Sequence, residues 1–155
     1  MVDQIFWNRN PQDGFYNISS VSGDALKSEY VGRGGAYADY DNDGDLDLVI
    51  VNNQGPAILL QNESVHENNW FQCTLHGVES NSMAIGARLY LKSGNDIQIK
   101  QVGSQSSYLS QNSYAQHFGL GSTMVIDSLH IAWPSGRQTI LKNIAANQRI
   151  DIYEN

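Results

Sequence analysis

The chain has 155 residues, of which 41% are hydrophobic and 16% charged, and a formal net charge of −7. That balance describes one folded domain, or at most one and a half, with apolar material enough for a core, and it excludes a disordered chain. A surplus of acids without a basic stripe excludes nucleic acid as a partner, and no stretch is long enough for a membrane span.

In chain order, short strands are predicted around Asp3–Asn8 and Gly34–Ala38. An acidic run, Asp39-Tyr40-Asp41-Asn42-Asp43-Gly44-Asp45-Leu46-Asp47, follows, and then strands at Leu46–Asn52 and Ala57–Asn62. These four form one antiparallel sheet with open edges and a thin core, which needs a partner to be stable. The polar stretch 61–69 (QNESVHENN) reads as a linker. Beyond it the apolar residues alternate: Ala87, Leu89 and Leu91; Ile97 and Ile99; Leu129, Ile131 and Trp133; Ile150 and Ile152. Period two marks strands with one face on a core. Turns are predicted at Ser93-Gly94-Asn95, Gly119-Leu120-Gly121-Ser122 and Pro134-Ser135-Gly136, with Ser93-Gly94-Asn95 as a hairpin tip. Lys142 to Gln148 has room for a single helical turn. The fold class is all-β, one antiparallel unit packed with a small sandwich or jelly-roll-like domain of about seven strands.

The acidic run is the strongest signal. It packs five carboxylates into nine residues. Residues 1–65 hold ten acids against Arg9, Lys27 and Arg33, whereas residues 66–155 are neutral. Like charges this dense repel, and a bound cation relieves the repulsion. Ligands that are all oxygen, with no His or Cys, point to calcium. If the chain curls at Gly44, the side chains of Asp39, Asp41, Asp43 and Asp47 converge, and the backbone carbonyl of Asp45 adds a further oxygen. An EF-hand is rejected, because its twelfth position is Ile50 in place of Glu and Leu46–Val51 reads as a strand.

Other residues carry less. Cys73 is the only cysteine, which rules out an intramolecular disulfide, and its setting in Trp70-Phe71-Gln72-Cys73-Thr74-Leu75 predicts a buried apolar role. Asn17-Ile18-Ser19 and Asn62-Glu63-Ser64 match the glycosylation sequon, a pattern short enough to arise by chance. Trp133 continues an inward alternation into a core, and His130 falls on the opposite face. Arg88 is expected in a structural ion pair. His66, His76 and His130 are too scattered to form a ligand set.

Two sets of residues resemble known families. Residues 1–62 resemble one FG-GAP/VCBS-type repeat, the blade of calcium-binding β-propellers, through Arg33-Gly34-Gly35-Ala36-Tyr37-Ala38, the acidic run and Leu48-Val49-Ile50-Val51-Asn52-Asn53. Residues 68–154 resemble the ASPIC/UnbV domain. The match runs through Ile85-Gly86-Ala87-Arg88, Ser106-Ser107-Tyr108-Leu109-Ser110-Gln111-Asn112, His117-Phe118-Gly119-Leu120-Gly121, Ile131-Ala132-Trp133-Pro134-Ser135-Gly136 and Asn147-Gln148. The resemblance implies calcium ligation by Asp39, Asp41, Asp43 and Asp47 with the Asp45 carbonyl, an extracellular or cell-surface setting, and no established catalytic residues. Members generally carry several repeats and a secretion signal. Here one repeat is present and MVDQIFWNRN lacks a signal-peptide layout, so either the sequence is part of a longer protein or one blade docks on the sandwich, within or between chains.

The leading functional reading is a non-enzymatic, calcium-stabilised module for adhesion or recognition of a glycan or protein ligand, with homo-oligomerisation through open sheet edges as an option. The alternative is a carbohydrate-binding module on residues 68–154, with Tyr108, Gln111, Asn112, Tyr114 and His117 as candidate ligand residues. Their amides and imidazole can hydrogen-bond hydroxyls, and their phenols can stack on a sugar ring. Ser106–Asn112 with His117 also contains a Ser/His pairing of the kind used in acyl transfer, which gives a third reading, a hydrolase or an accessory to one. No G-x-S-x-G elbow occurs, however, and a hydrogen-bonded loop that pins two strands is the simpler reading.

Overall fold

The structure, a computed structural model, describes residues 2–10, 13–64, 67–103 and 108–155. Its strands are β1 (Phe6–Asn10), β2 (Gly14–Asn17), β3 (Gly32–Ala38), β4 (Asp47–Asn52), β5 (Ile58–Leu60), β6 (Asn69–His76), β7 (Arg88–Ser93), β8 (Asp96–Gln101), β9 (Gln116–Gly121), β10 (Val125–Ala132), β11 (Gln138–Ala145) and β12 (Gln148–Tyr153). Two short 3-10 turns, Ser19–Val21 and Asp24–Lys27, complete the regular structure of the described residues. The fold is all-β. No helix among the described residues is long and apolar enough to cross a membrane.

Strands β6 to β12 build two sheets, ordered β11-β10-β7-β8 and β12-β6-β9. All neighbours are antiparallel except β12, which runs parallel to β6. One hydrophobic cluster joins the sheets: Phe71, Cys73 and Leu75 of β6 and Phe118 of β9 meet Leu89 and Leu91 of β7 and Leu129 and Ile131 of β10. Each fully buried side chain of this size contributes about 1.5–3 kcal/mol. Trp133 lies in the same cluster at 3% exposure, with its indole N–H donating to Thr139 Oγ1 at 2.9 Å. His130 points away from the core and stacks on Tyr90. Arg88 donates to the neutral Gln101 Oε1 at 3.4 Å, where an ion pair was expected.

The turns follow local chemistry, with two departures from expectation. Ser93 pairs with Asp96 around Gly94-Asn95, and only Gly94 takes positive φ (+61°), the pattern of a type II′ hairpin. Pro134-Ser135-Gly136 also turns, closed by Trp133 N–H to Arg137 O at 3.0 Å. The turn expected at Gly119–Ser122 lies further on: β9 runs through to Gly121 because Phe118 and Leu120 alternate inward, and Thr123 N–H closes the turn on Leu120 O. The helical turn expected at Lys142–Gln148 is strand to Ala145 and again from Gln148. Leu141 and Ile144 are three residues apart, which reads as helical spacing; the odd step falls at Asn143, whose φ of +53° turns the side chains over within the strand.

The first 60 residues are arranged differently from the single four-stranded sheet expected. β3, β4 and β5 form a three-stranded antiparallel sheet, and β1 pairs with β2 in a separate hairpin. Here Leu26 and Ile50 are the buried hydrophobic residues among those described, so the core is thin, as anticipated. Residues 61–64 follow β5, and residues 67 and 68 lead into β6.

The free edge of β3 is covered from within the chain. Gly35 N–H donates to Ser110 Oγ (3.0 Å), Tyr37 N–H to Asn112 Oδ1 (3.1 Å), and Ser113 N–H to Tyr37 O (3.3 Å). A strand edge that would otherwise recruit another chain is thereby capped.

Candidate functional site

The acidic run forms the connection between β3 and β4. Asn42 and Gly44 take positive φ (68° and 103°), which lets it curl back within a few residues. The aspartates hold one another's backbone: Asp43 N–H donates to Asp41 Oδ1 (3.2 Å), Asp45 N–H to Asp43 Oδ1 (2.9 Å), and Gly44 N–H to Asp39 Oδ2 (3.1 Å). One carboxylate oxygen from each of Asp39, Asp41 and Asp43 lies within 4.8 Å of the others. Oxygens bound to one calcium ion at about 2.4 Å sit at most about twice that distance apart, so the spacing fits. The Asp39 side chain is fully buried, and its Oδ1 has no hydrogen-bond partner. A buried, unpartnered carboxylate oxygen is costly. Hard oxygen donors with one orphan among them fit a hard cation.

Asp47, expected in the same cluster, stands apart. It is 2% exposed, and its two oxygens accept from Tyr40 N–H (2.8 Å) and Asn62 N–H (2.9 Å), tying the start of the loop to the segment that follows β5. Asp45 contributes its amide to Asp43, as above. Gln61 Nε2 donates to Asp41 Oδ2 at 2.7 Å.

The loop rests on the outer face of the β12-β6-β9 sheet, through His117 and two residues that the sequence did not single out, Trp70 and Arg149. Gly44 lies flat against Trp70 of β6, and a Cβ there would overlap the indole nitrogen. His117 of β9 stacks parallel to Trp70, with centroids 6.1 Å apart, and its Nε2–H donates to Gly44 O at 2.7 Å. A carbonyl only accepts, so this bond fixes the proton on Nε2. Burial lowers the His117 pKa, together with nearby Lys100, against the Gly44 bond and the charges of Asp39 and Asp45, which raise it. Arg149 of β12 spans the same gap, bonding Asp39 Oδ2 and Asn42 Oδ1 while its guanidinium lies 5.6 Å from the Trp70 ring centroid. The loop's charge therefore has a side-chain counterion as well as a potential metal. His117 points to the loop and Phe118 into the core, since successive strand residues face opposite ways.

Beside this contact lies a cleft of about 290 Å³ between β3, β8 and the segment 111–117. Gln111, Asn112, Tyr114 and His117, four of the five candidate ligand residues, line it together with Tyr37 and Lys100. Tyr108, the fifth, is 71% exposed and does not. Of the serines considered with His117, Ser106 and Ser107 lie outside the described residues, as does His66, while Ser110 Oγ accepts from Gly35 N–H and donates to Tyr108 O at 3.0 Å.

A separate buried acid organises the far end of the sandwich. Glu154 is 4% exposed and accepts from the N–H groups of Val78, Glu79 and Ser80 (2.8, 2.9 and 2.7 Å) and from the hydroxyls of Ser80 and Ser135. The Trp133-Pro134-Ser135-Gly136 turn thus presents Ser135 to this carboxylate.

A seven-stranded sandwich with an acidic loop clasped to its outer face defines the class of protein. The family model described as ASPIC and UnbV matches residues 77–155, and the chain belongs to that family. It is 31% identical to cartilage acidic protein 1 of Homo sapiens over 138 residues, which cover 85% of this chain and 20% of the relative. It is 33% identical over 121 residues to the protein of that name from Xenopus tropicalis, covering 74% of this chain and 18% of the relative. The chain thus spans about a fifth of the length of these curated relatives.

Proposed function

We propose that this protein is a non-enzymatic, calcium-binding recognition module of an extracellular setting, in which residues 1–62 act as an FG-GAP/VCBS-type repeat. The buried, unpartnered Asp39 Oδ1, gathered with oxygens of Asp41 and Asp43, is the observation that carries this reading. Asp39, Asp41 and Asp43 would hold the ion, with the Asp45 carbonyl. Asp47 keeps lone pairs beyond those its two amide partners use, and so can contribute as well. Calcium supplies divalent positive charge and a fixed point for oxygen ligands. The chain's own residues do the rest: Gly44 permits the curl, Trp70 and His117 seat it, and Arg149 neutralises Asp39. The role is structural, pinning the β3–β4 connection to the sandwich.

Calcium titration by calorimetry tests the ligand assignment. Asp43→Asn is expected to weaken binding by tenfold or more, on the order of the loss of one charged ligand. Asp45→Asn is expected to change it little, because only its backbone coordinates. Equal effects from the two would contradict the assignment.

Recognition is assigned to the cleft, and its convergence of amides, phenols and imidazole favours a carbohydrate over an extended peptide. On a glycan array, Tyr114→Ala is expected to abolish a signal that Tyr108→Ala leaves in place. The reverse pattern would move the site to the exposed Tyr108 surface.

A further inference from the structure

Lys100, on β8, has no role in the clasp. Its side chain is half-buried on the wall of the cleft, and its ammonium stands 5.2 Å from the Phe118 ring centroid. Among the described residues no carboxylate or other hydrogen-bond acceptor meets it. Burial lowers its pKa, against the nearby Cys73, which raises it. No carboxylate lines the cleft among the described residues either, in a chain whose net charge is −7. A partly desolvated ammonium in a polar cleft free of acids is a charge awaiting a partner.

The surroundings narrow the partner's class. Gln111 offers a side-chain amide, and Gln101, whose Oε1 accepts from Arg88, keeps its NH₂ group to donate. Tyr37 and Tyr114 supply phenolic rings. The main-chain groups that an extended peptide would pair with are spent, since Gly35 N–H, Tyr37 N–H and Tyr37 O are bonded to Ser110, Asn112 and Ser113. The cleft volume of about 290 Å³ is at the lower end for small-molecule sites and suits a single ring.

We infer that the cleft takes a carboxylate-bearing sugar, with the Lys100 ammonium bonding the carboxylate and the amides and phenols holding the ring. This deepens, and rests on, the reading of the cleft as a carbohydrate site. A neutral sugar would leave the ammonium with the Phe118 ring face and no anionic partner.

The test uses the full chain in calcium, followed by amide chemical shifts while methyl β-D-glucuronide, methyl β-D-glucoside or N-acetylglutamate α-amide is titrated in. The two sugars differ only in the carboxylate. The glucuronide is expected to bind about tenfold more tightly than the glucoside, as a charge-assisted hydrogen bond allows, with shifts at Tyr114 and His117. Lys100→Met, which keeps an apolar stem against Phe118, is expected to erase that preference, and Lys100→Arg to retain it. Equal affinity for the two sugars overturns the acid selectivity while leaving a sugar cleft in place. Tighter binding of N-acetylglutamate α-amide than of the glucuronide overturns the sugar class. Binding of none of the three overturns both this inference and the carbohydrate reading. The wild-type comparison decides each point even if Lys100→Met folds poorly.

Discussion

Glu154 shows how single side chains set the limits of this fold. Burial pushes its pKa up, but hydrogen bonds from Ser135, Ser80 and Val78 outweigh burial and bring it down to about 2, from an ordinary 4.5. A carboxyl whose folded pKa is depressed contributes stability that is fully present above about 4.5 and is lost as pH falls through about 2. Acid titration of the unfolding free energy should show that loss. Glu154→Gln should lower the melting temperature at pH 7 and flatten the acid limb; an unchanged limb would show that Glu154 is not its source. Cys73 behaves oppositely. Burial pushes its thiol up to about 12, only partly offset by Lys100 nearby. At pH 8 it should resist a thiol-specific disulfide reagent in the native protein and react at once in denaturant. Rapid native labelling would contradict its place in the core.

Among the elements, the loop between β3 and β4 and the sheet beneath it form one contact, and Gly44 is its tightest point. Any side chain there meets the Trp70 indole, and the φ of +103° is one that L side chains rarely adopt. Gly44→Ala should therefore lower stability by about 2 kcal/mol or more, from backbone strain and lost packing together, and weaken calcium binding in parallel. A loss of stability with calcium affinity intact would separate the clasp from the metal site. Much of this region was legible in the sequence. Alternating aspartates around Gly44 located the oxygen cluster, and the β-branched run after it excluded an EF-hand. Period two located β7, β8, β10 and β12 and put Trp133 in the core, but it inverted the faces of β8, where Ile97 and Ile99 are exposed and Lys100 lies over Phe118. The hairpin partner β2 was missed because Gly14–Asn17 is only four residues long. Trp70 and Arg149 were missed for a different reason. Arg149 meets Asp39 across 110 positions, and alternation tells which face of a strand it occupies without telling what rests on that face. The placement of Asp47 was hidden likewise, since its partner Asn62 is fixed only once β5 folds back on β4. Tyr108 shared its neighbours' composition, but the cleft closes on Gln111 to His117 and leaves it outside.

For the molecule as a whole, charge and core are divided between two parts that complete each other. The net charge lies in the first 65 residues and the hydrophobic cluster in residues 71–152. The β3-β4-β5 sheet gains a covered edge from the segment 110–113 and a floor from Trp70, His117 and Arg149. The sandwich gains one wall of its cleft, through Tyr37. A cation in the acidic loop should thus stabilise the contact between both parts as well as the loop itself. Thermal unfolding in calcium and in chelator tests this most directly. At a calcium concentration a hundredfold above Kd, binding to the folded state alone adds about 2.7 kcal/mol. For a chain of this size that raises the melting temperature by roughly 5–10 °C, reversed by chelator and restored by calcium. An identical melting temperature in calcium and chelator would contradict the account.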